Sequence, residues 1–179
     1  IILTERDSCW VDIHDNMIVL KDGSIIWTSE RSGFNHIYHY DRNGTLINQL
    51  THGDWEVRRI IDMDEETNII YFTATKVSEL ENHLFSISLY GEHMVQITQK
   101  SGWHSVAISP NKNSIIDSWS NIRTPTTHFV KRIDGKILNT LSKPDMNAFD
   151  KLNWTYPDFI KIQTSDGILL NAIITLPWN

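Results

Sequence analysis

Eight histidines, one cysteine and 22 acidic residues are the raw material for chemistry in this 179-residue chain. His36 and His39 are three apart, and on a strand that offset puts them on opposite faces. His52, His83, His93 and His104 fall in separate segments, without the spacing of a zinc ligand set. Asp62, Asp64, Glu65 and Glu66 crowd one turn but lack the glycine and final glutamate of a calcium loop, so they read as a solvated turn. Cys9 has His14 near it in sequence, yet a catalytic thiol needs an activating surround that the neighbouring residues do not provide; it reads as a small buried residue. Ser29-Glu30-Arg31 resembles a catalytic set, but Glu30 and Arg31 read better as an ion pair or rim contact. There is no Gly-x-Ser-x-Gly elbow for a serine nucleophile. The expectation is therefore no catalytic residue, no metal site and no cofactor within this chain.

Composition narrows the classes further. Hydrophobic residues make up 40% and charged residues 21%, as in ordinary globular domains. A net charge of −6 with scattered basic residues argues against nucleic acid, since phosphate binding needs clustered Lys and Arg. Arg58-Arg59 and Lys131-Arg132 are the only adjacent basic pairs. No apolar run reaches the roughly 18 residues of a membrane span, and the first residues lack the layout of a signal peptide. Both termini read as strands cut short, so the chain is expected to be part of a longer protein.

What must position any site is a repeat of blade length. Asp22-Gly23-Ser24-Ile25-Ile26-Trp27, Asn68-Ile69-Ile70-Tyr71-Phe72 and Asn113-Ser114-Ile115-Ile116 each follow a turn with a β-branched run. Ile25 and Ile69 are 44 apart, and Ile69 and Ile115 are 46 apart. Thr51-His52-Gly53-Asp54-Trp55-Glu56-Val57 is echoed by Lys100-Ser101-Gly102-Trp103-His104-Ser105-Val106, with the tryptophans 48 apart. Period-two hairpins lie between the markers: His36–Tyr40 with Thr45–Leu50, His83–Ser88 with His93–Thr98, and Thr127–Arg132 with Lys136–Leu141. Asn43-Gly44 suits a two-residue turn with both central residues at positive φ. No segment sustains a 3.6-residue period.

The predicted fold is therefore all-β: about three four-stranded blades of an open, partial β-propeller, followed by a short β-hairpin. A flat sandwich would not repeat at blade length. The repeats run from Met17 to Val57, Arg58 to Val106 and Ala107 to Leu141, with Ile1 to Asn16 as the tail of an earlier blade. Tryptophans serve as apolar plugs between blades. After Leu141 the beat changes: Lys143-Pro144-Asp145 breaks it, Met146 to Lys151 suggests a helical turn, and Asp158–Thr164 and Ile168–Leu176 form a hairpin about Ser165-Asp166-Gly167. The expected division is residues 1–142 as partial propeller and 143–179 as linker and opening strands of another domain.

Several of these runs resemble a known family. Trp27-Thr28-Ser29-Glu30-Arg31-Ser32-Gly33-Phe34-Asn35-His36-Ile37-Tyr38 and Gln49-Leu50-Thr51-His52-Gly53-Asp54-Trp55-Glu56-Val57 resemble blade segments of bacterial dipeptidyl peptidase IV-like serine peptidases, of the prolyl oligopeptidase family. Tyr71-Phe72-Thr73-Ala74-Thr75 and Gly102-Trp103-His104-Ser105-Val106 fit the next blade. Asp166-Gly167-Ile168-Leu169-Leu170-Asn171-Ala172 through Pro177 resembles the strands that open the hydrolase domain. The resemblance implies an eight-bladed propeller on an α/β-hydrolase domain that removes dipeptides, with Pro or Ala second, from peptide N-termini. It implies peptide substrates, a hydrolase domain as intramolecular partner, frequent homodimerisation, and a periplasmic or secreted location. The nucleophile elbow and the paired glutamates that hold the substrate amino terminus are absent from this sequence, so the segment would shape the cavity without catalysing. The loop from Trp10 to Asp15 resembles the stretch bordering the substrate cavity, which makes His14 and Asp15 candidates for an outer subsite. A stand-alone propeller-like protein-binding module is the competing function.

Overall fold

Short runs of β-branched and aromatic residues, broken by Gly, Asn and Asp, become strands here because their alternate side chains can be buried against a neighbouring sheet. The computed structural model describes residues 1–6, 8–152 and 155–177. A first sheet holds β1 (Met17–Val19), β2 (Ile25–Ser29), β3 (His36–Tyr40) and β4 (Leu46–Gln49). A second holds β5 (Val57–Asp64), β6 (Ile69–Ala74), β7 (His83–Ser88) and β8 (Val95–Gln96). A third holds β9 (Trp103–Ile108), β10 (Ser114–Asn121), β11 (Thr124–Arg132) and β12 (Ile137–Ser142). Every sheet is an antiparallel meander with its strands in chain order. The three are blades of an open propeller, as the repeat predicts. A helical turn, α1 (Met146–Asp150), starts at Asp145, whose side chain accepts from the Asn147 amide. The hairpin of β13 (Asp158–Gln163) and β14 (Leu169–Ile174) follows. Described residues before Met17 form no strand and lie along the first sheet.

The core sits between sheets. Ile26 and Ile37 of the first sheet pack with Ile70, Phe72, Phe85 and Ile87 of the second. On the opposite face of the second sheet, Tyr71 and Leu84 pack with Ile97 and Ile115. The second sheet is thus covered on both faces, and five of the six residues of β6 are buried. Blades in a stack need this double cover, since one sheet cannot hide both its faces alone. The outermost strand β12 is exposed throughout.

Several local expectations change. The blade boundaries fall before Val57 and before Trp103, because the end of each marker segment opens the first strand of the next blade. The Asn43 turn is a longer loop: only Gly44 takes positive φ, at +84°, and Asp41 Oδ1 accepts from the Asn43 and Thr45 amides at 2.8 Å each. Cys9 is exposed. The plug role fits Trp55, 8% exposed, and Trp119, 2%, but Trp103 is 45% exposed and Trp10 is 74% exposed. Trp154 and Trp178 lie outside the described residues.

Gly102 shows why the turn before β9 needs a glycine. Its φ is +136°, and a Cβ there would stand 2.3 Å from the Ser120 carbonyl oxygen and 2.7 Å from Trp119 Nε1. Gly102→Ala is expected to cost roughly 1–3 kcal/mol, read as a lower urea midpoint. Gly33→Ala shares the positive φ, +102°, but meets open space, so it should cost less. Equal losses at the two sites would sink the close-contact account.

Candidate functional site

At the junction of the first and second sheets a cavity of about 340 Å³ opens. One wall is the segment before β1, including Arg6 and Trp10 to His14. The opposite wall is the end of β2 with Glu30 and Arg31, and the floor is the start of β5 around Glu56 to Arg58. Three arginines and four carboxylates therefore border one hollow.

The segment before β1 is held by Glu5. Its carboxylate accepts from Arg31 Nη2 at 2.9 Å, from Trp27 Nε1 at 3.3 Å and from the Ser29 hydroxyl. Arg31 also donates from Nε to Ser29 Oγ at 2.8 Å and stands 4.9 Å over the Tyr38 ring. Arg31 thus pairs with Glu5 rather than with Glu30 as expected: Glu30 opens the turn after β2, its carbonyl accepting the Gly33 amide at 2.8 Å, whereas the distant Glu5 is laid across the strand end. Arg58 pairs with Glu56 at 3.5 Å. On the floor, the second sheet is fastened to the first by Asn35, which gives its Nδ2 to the Val57 carbonyl at 2.7 Å and accepts the Val57 amide at its own carbonyl. Buried Asn16 accepts the Ile60 amide at 3.1 Å.

His14 is half-buried in the cavity wall. Its ring lies 4.4 Å from Trp27, its Nε2 donates to the Thr28 carbonyl at 3.0 Å, and its Nδ1 accepts from the Asn16 amide at 3.2 Å. Asp15, next to it, is exposed and does not line the cavity. The fold therefore brings His14 to the hollow and leaves Asp15 beside it.

His36, by contrast, is built into the first sheet. His36 meets Thr51 Oγ1 at 3.0 Å and the Gly53 carbonyl at 2.9 Å, both within its own repeat. Burial comes first in lowering its pKa below the ordinary value. Ser118 Oγ and His128 Nδ1 are 2.8 Å apart, the reach of a nucleophile and its base. They are cross-strand neighbours on β10 and β11, and no carboxylate among the described residues orients His128. That pair completes a sheet contact.

One signal escaped the sequence reading. Asn35-His36 and Asn82-His83 repeat 47 residues apart, as do Gln49-Leu50-Thr51 and Gln96-Ile97-Thr98. Asn82 repeats the fastening of Asn35, giving Nδ2 to the His104 carbonyl at 2.7 Å. Thr98 Oγ1 accepts the Leu84 amide at 2.9 Å as Thr51 Oγ1 accepts that of Ile37.

Residues 1–126 match the family described as dipeptidyl peptidase IV (DPP IV) N-terminal region. Dipeptidyl peptidase 4 of Trichophyton equinum is 27% identical over 99% of this chain, and that of Arthroderma otae is 28% identical over 99%. The crystal structure of Porphyromonas gingivalis dipeptidyl peptidase 4 superposes on 90% of the chain with a TM-score of 0.80 and 26% identity. The chain spans 24% of the length of those two fungal relatives and 23% of the chain of known structure.

Proposed function

Because the chain belongs to the dipeptidyl peptidase IV N-terminal region family, we propose that it is a propeller segment of a serine exopeptidase that removes Xaa-Pro and Xaa-Ala dipeptides from peptide N-termini. In this reading residues 1–142 shape and gate the substrate cavity, and residues 143–179 lead into the hydrolase domain that carries the triad. In this reading the parent acts on peptides in the periplasm or outside the cell, and does so as a homodimer. The observation that carries the reading is the hollow between the first two blades, walled by residues Trp10 to His14 of the Trp10–Asp15 loop that resembles the family's cavity border. His14 and Asp15 border an outer subsite there, with His14 making the contact and Asp15 beside it.

The test pairs this chain with its full-length parent on a chromogenic Gly-Pro substrate. The chain alone is expected to show no turnover and the parent clear turnover. Turnover by the chain alone overturns the reading, and silence from both favours a protein-binding module. In the parent, His14→Ala is expected to raise KM for longer peptides about three- to tenfold with kcat little changed, the signature of lost binding shared by substrate and transition state. Asp15→Ala is expected to do less. An unchanged KM in the His14 variant removes it from the subsite.

A further inference from the structure

The wall of the hollow that precedes β1 is fastened at two points, and both fall on the end of β2. Downstream, His14 rests its ring on Trp27 at 4.4 Å and its Nε2 on the Thr28 carbonyl at 3.0 Å. Upstream, Glu5 takes Trp27 Nε1, the Ser29 hydroxyl and Arg31. Trp27 and Ser29 are two apart on the strand and share a face, so one carboxylate covers both. Between the anchors Val11 and Ile13 are exposed, and packing does little to place the wall. Among the described residues up to Ser8, the Glu5 side chain is the only one hydrogen-bonded to the first sheet.

The upstream anchor is built for a carboxylate, because everything aimed at Glu5 is a donor. Arg31 Nη2 gives to Oε2 at 2.9 Å and lies 3.3 Å from Oε1. Trp27 Nε1 gives to Oε2 at 3.3 Å. The Ser29 oxygen accepts the Arg31 amide at 3.2 Å and Arg31 Nε at 2.8 Å, which leaves its single proton for Glu5 Oε1. Each carboxylate oxygen thus faces two donors, which fills the lone-pair sites of the group. Charge-assisted bonds of this kind are strong and directional. Their platform is firm: the Arg31 guanidinium lies 4.9 and 5.6 Å over the rings of Tyr38 and Tyr40, both buried. Glu5 lines the hollow, but its acceptor capacity is spent on β2 and Arg31.

We infer that Glu5 is a positioning residue for the hollow: it sets the wall from Trp10 to His14 through Trp27, Ser29 and Arg31, and so shapes the outer subsite without touching what binds there. What the hollow binds rests on the peptidase reading above; the anchoring does not. Gln keeps the shape of Glu5 but has one acceptor oxygen, and its NH2 would face donors. A shift of about 1 Å in a wall is enough to weaken binding.

The test uses the full-length parent and its Glu5→Gln variant. Acylation of histidines by diethyl pyrocarbonate, read residue by residue by mass spectrometry, reports on the wall. His14 is expected to react roughly three- to tenfold faster in the variant, because its ring leaves Trp27 more often. His36, buried in the same sheet, should keep its slow rate. An unchanged His14 rate overturns the inference, and so does an equal rise at His36, which would make Glu5 a general support of the sheet. On longer peptides the variant is expected to raise KM about three- to tenfold with kcat little changed. In a His14→Ala background the same change should add little to KM, since both residues act on one wall. An unchanged KM, or fully additive effects, overturns the inference as well. If the parent turns over no peptide, the peptidase reading fails and the His14 rate alone decides the role of Glu5. If Glu5→Gln yields no folded protein, Ser29→Ala removes one of the donors and is expected to give the same pattern in milder form. A folded Ser29→Ala parent with an unchanged His14 rate then overturns the inference.

Discussion

Asp117→Asn is expected to destabilise the folded chain by about 3–5 kcal/mol, among the largest losses any single polar change can give here. Asp117 is 0% exposed and takes Lys131 Nζ on one oxygen and His104 Nδ1 on both. An amide keeps the shape but withdraws the negative charge, leaving the buried Lys131 ammonium without its counter-ion and setting an NH2 that cannot accept against one of the two partners. Removing one member of a buried pair is costly because the survivors stay desolvated without compensation. The same carboxyl sets an acid limit. Its folded pKa lies below its unfolded value, so the stability it contributes is full above about 3.9 and is lost as pH falls through the lowered folded value. Urea denaturation of the variant, repeated on the unaltered chain at falling pH, checks both statements. A loss under about 1 kcal/mol would show that the row of charges is solvated rather than buried.

Phe72→Ala is expected to cost a similar 3–5 kcal/mol by a different route. Phe72 is 0% exposed at the centre of β6 and stacks on Phe85 of β7 with ring centroids 5.8 Å apart. Truncation removes a large apolar surface from the packing between the first two blades and opens a void that rigid strands cannot close. Leu138→Ala on the bare strand β12, 57% exposed, should stay within about 0.5 kcal/mol. Thermal unfolding of the two variants side by side gives the comparison, and similar melting temperatures would contradict the placement of the core.

The blade count was legible because β-hairpins announce themselves locally. Ile25, Ile69 and Ile115 fall in β2, β6 and β10, and the runs His36–Tyr40 and His83–Ser88 match β3 and β7 residue for residue. The facing of those strands was less legible. Ile26, Ile70 and Ile115 are the buried set, while Ile116 is 47% exposed; adjacent isoleucines do not say which one looks inward, because period two has no absolute phase. Trp55 and Trp103 misled for a related reason. The contact that Trp55 makes with His36, at 5.0 Å, is made by His104 with His83, so the chemical echo and the geometric one are out of step. The cavity was legible only through family resemblance at His14. Glu5, Asn16 and Asn35 hold its walls through bonds between residues 22 to 44 positions apart, and no local pattern encodes a partner at that distance.

The meander order of the sheets bears on how the chain acquires its structure. Within each sheet, every strand after the first pairs with its immediate predecessor along the chain, so each closure inside a blade is short and its entropic cost small. Such low contact order favours quick local assembly, and a domain translated from its N-terminus at about 5–20 residues per second leaves ample time between sheets. The first blade can be complete as a template before Trp103 has left the ribosome, and each later blade then condenses on a face already formed.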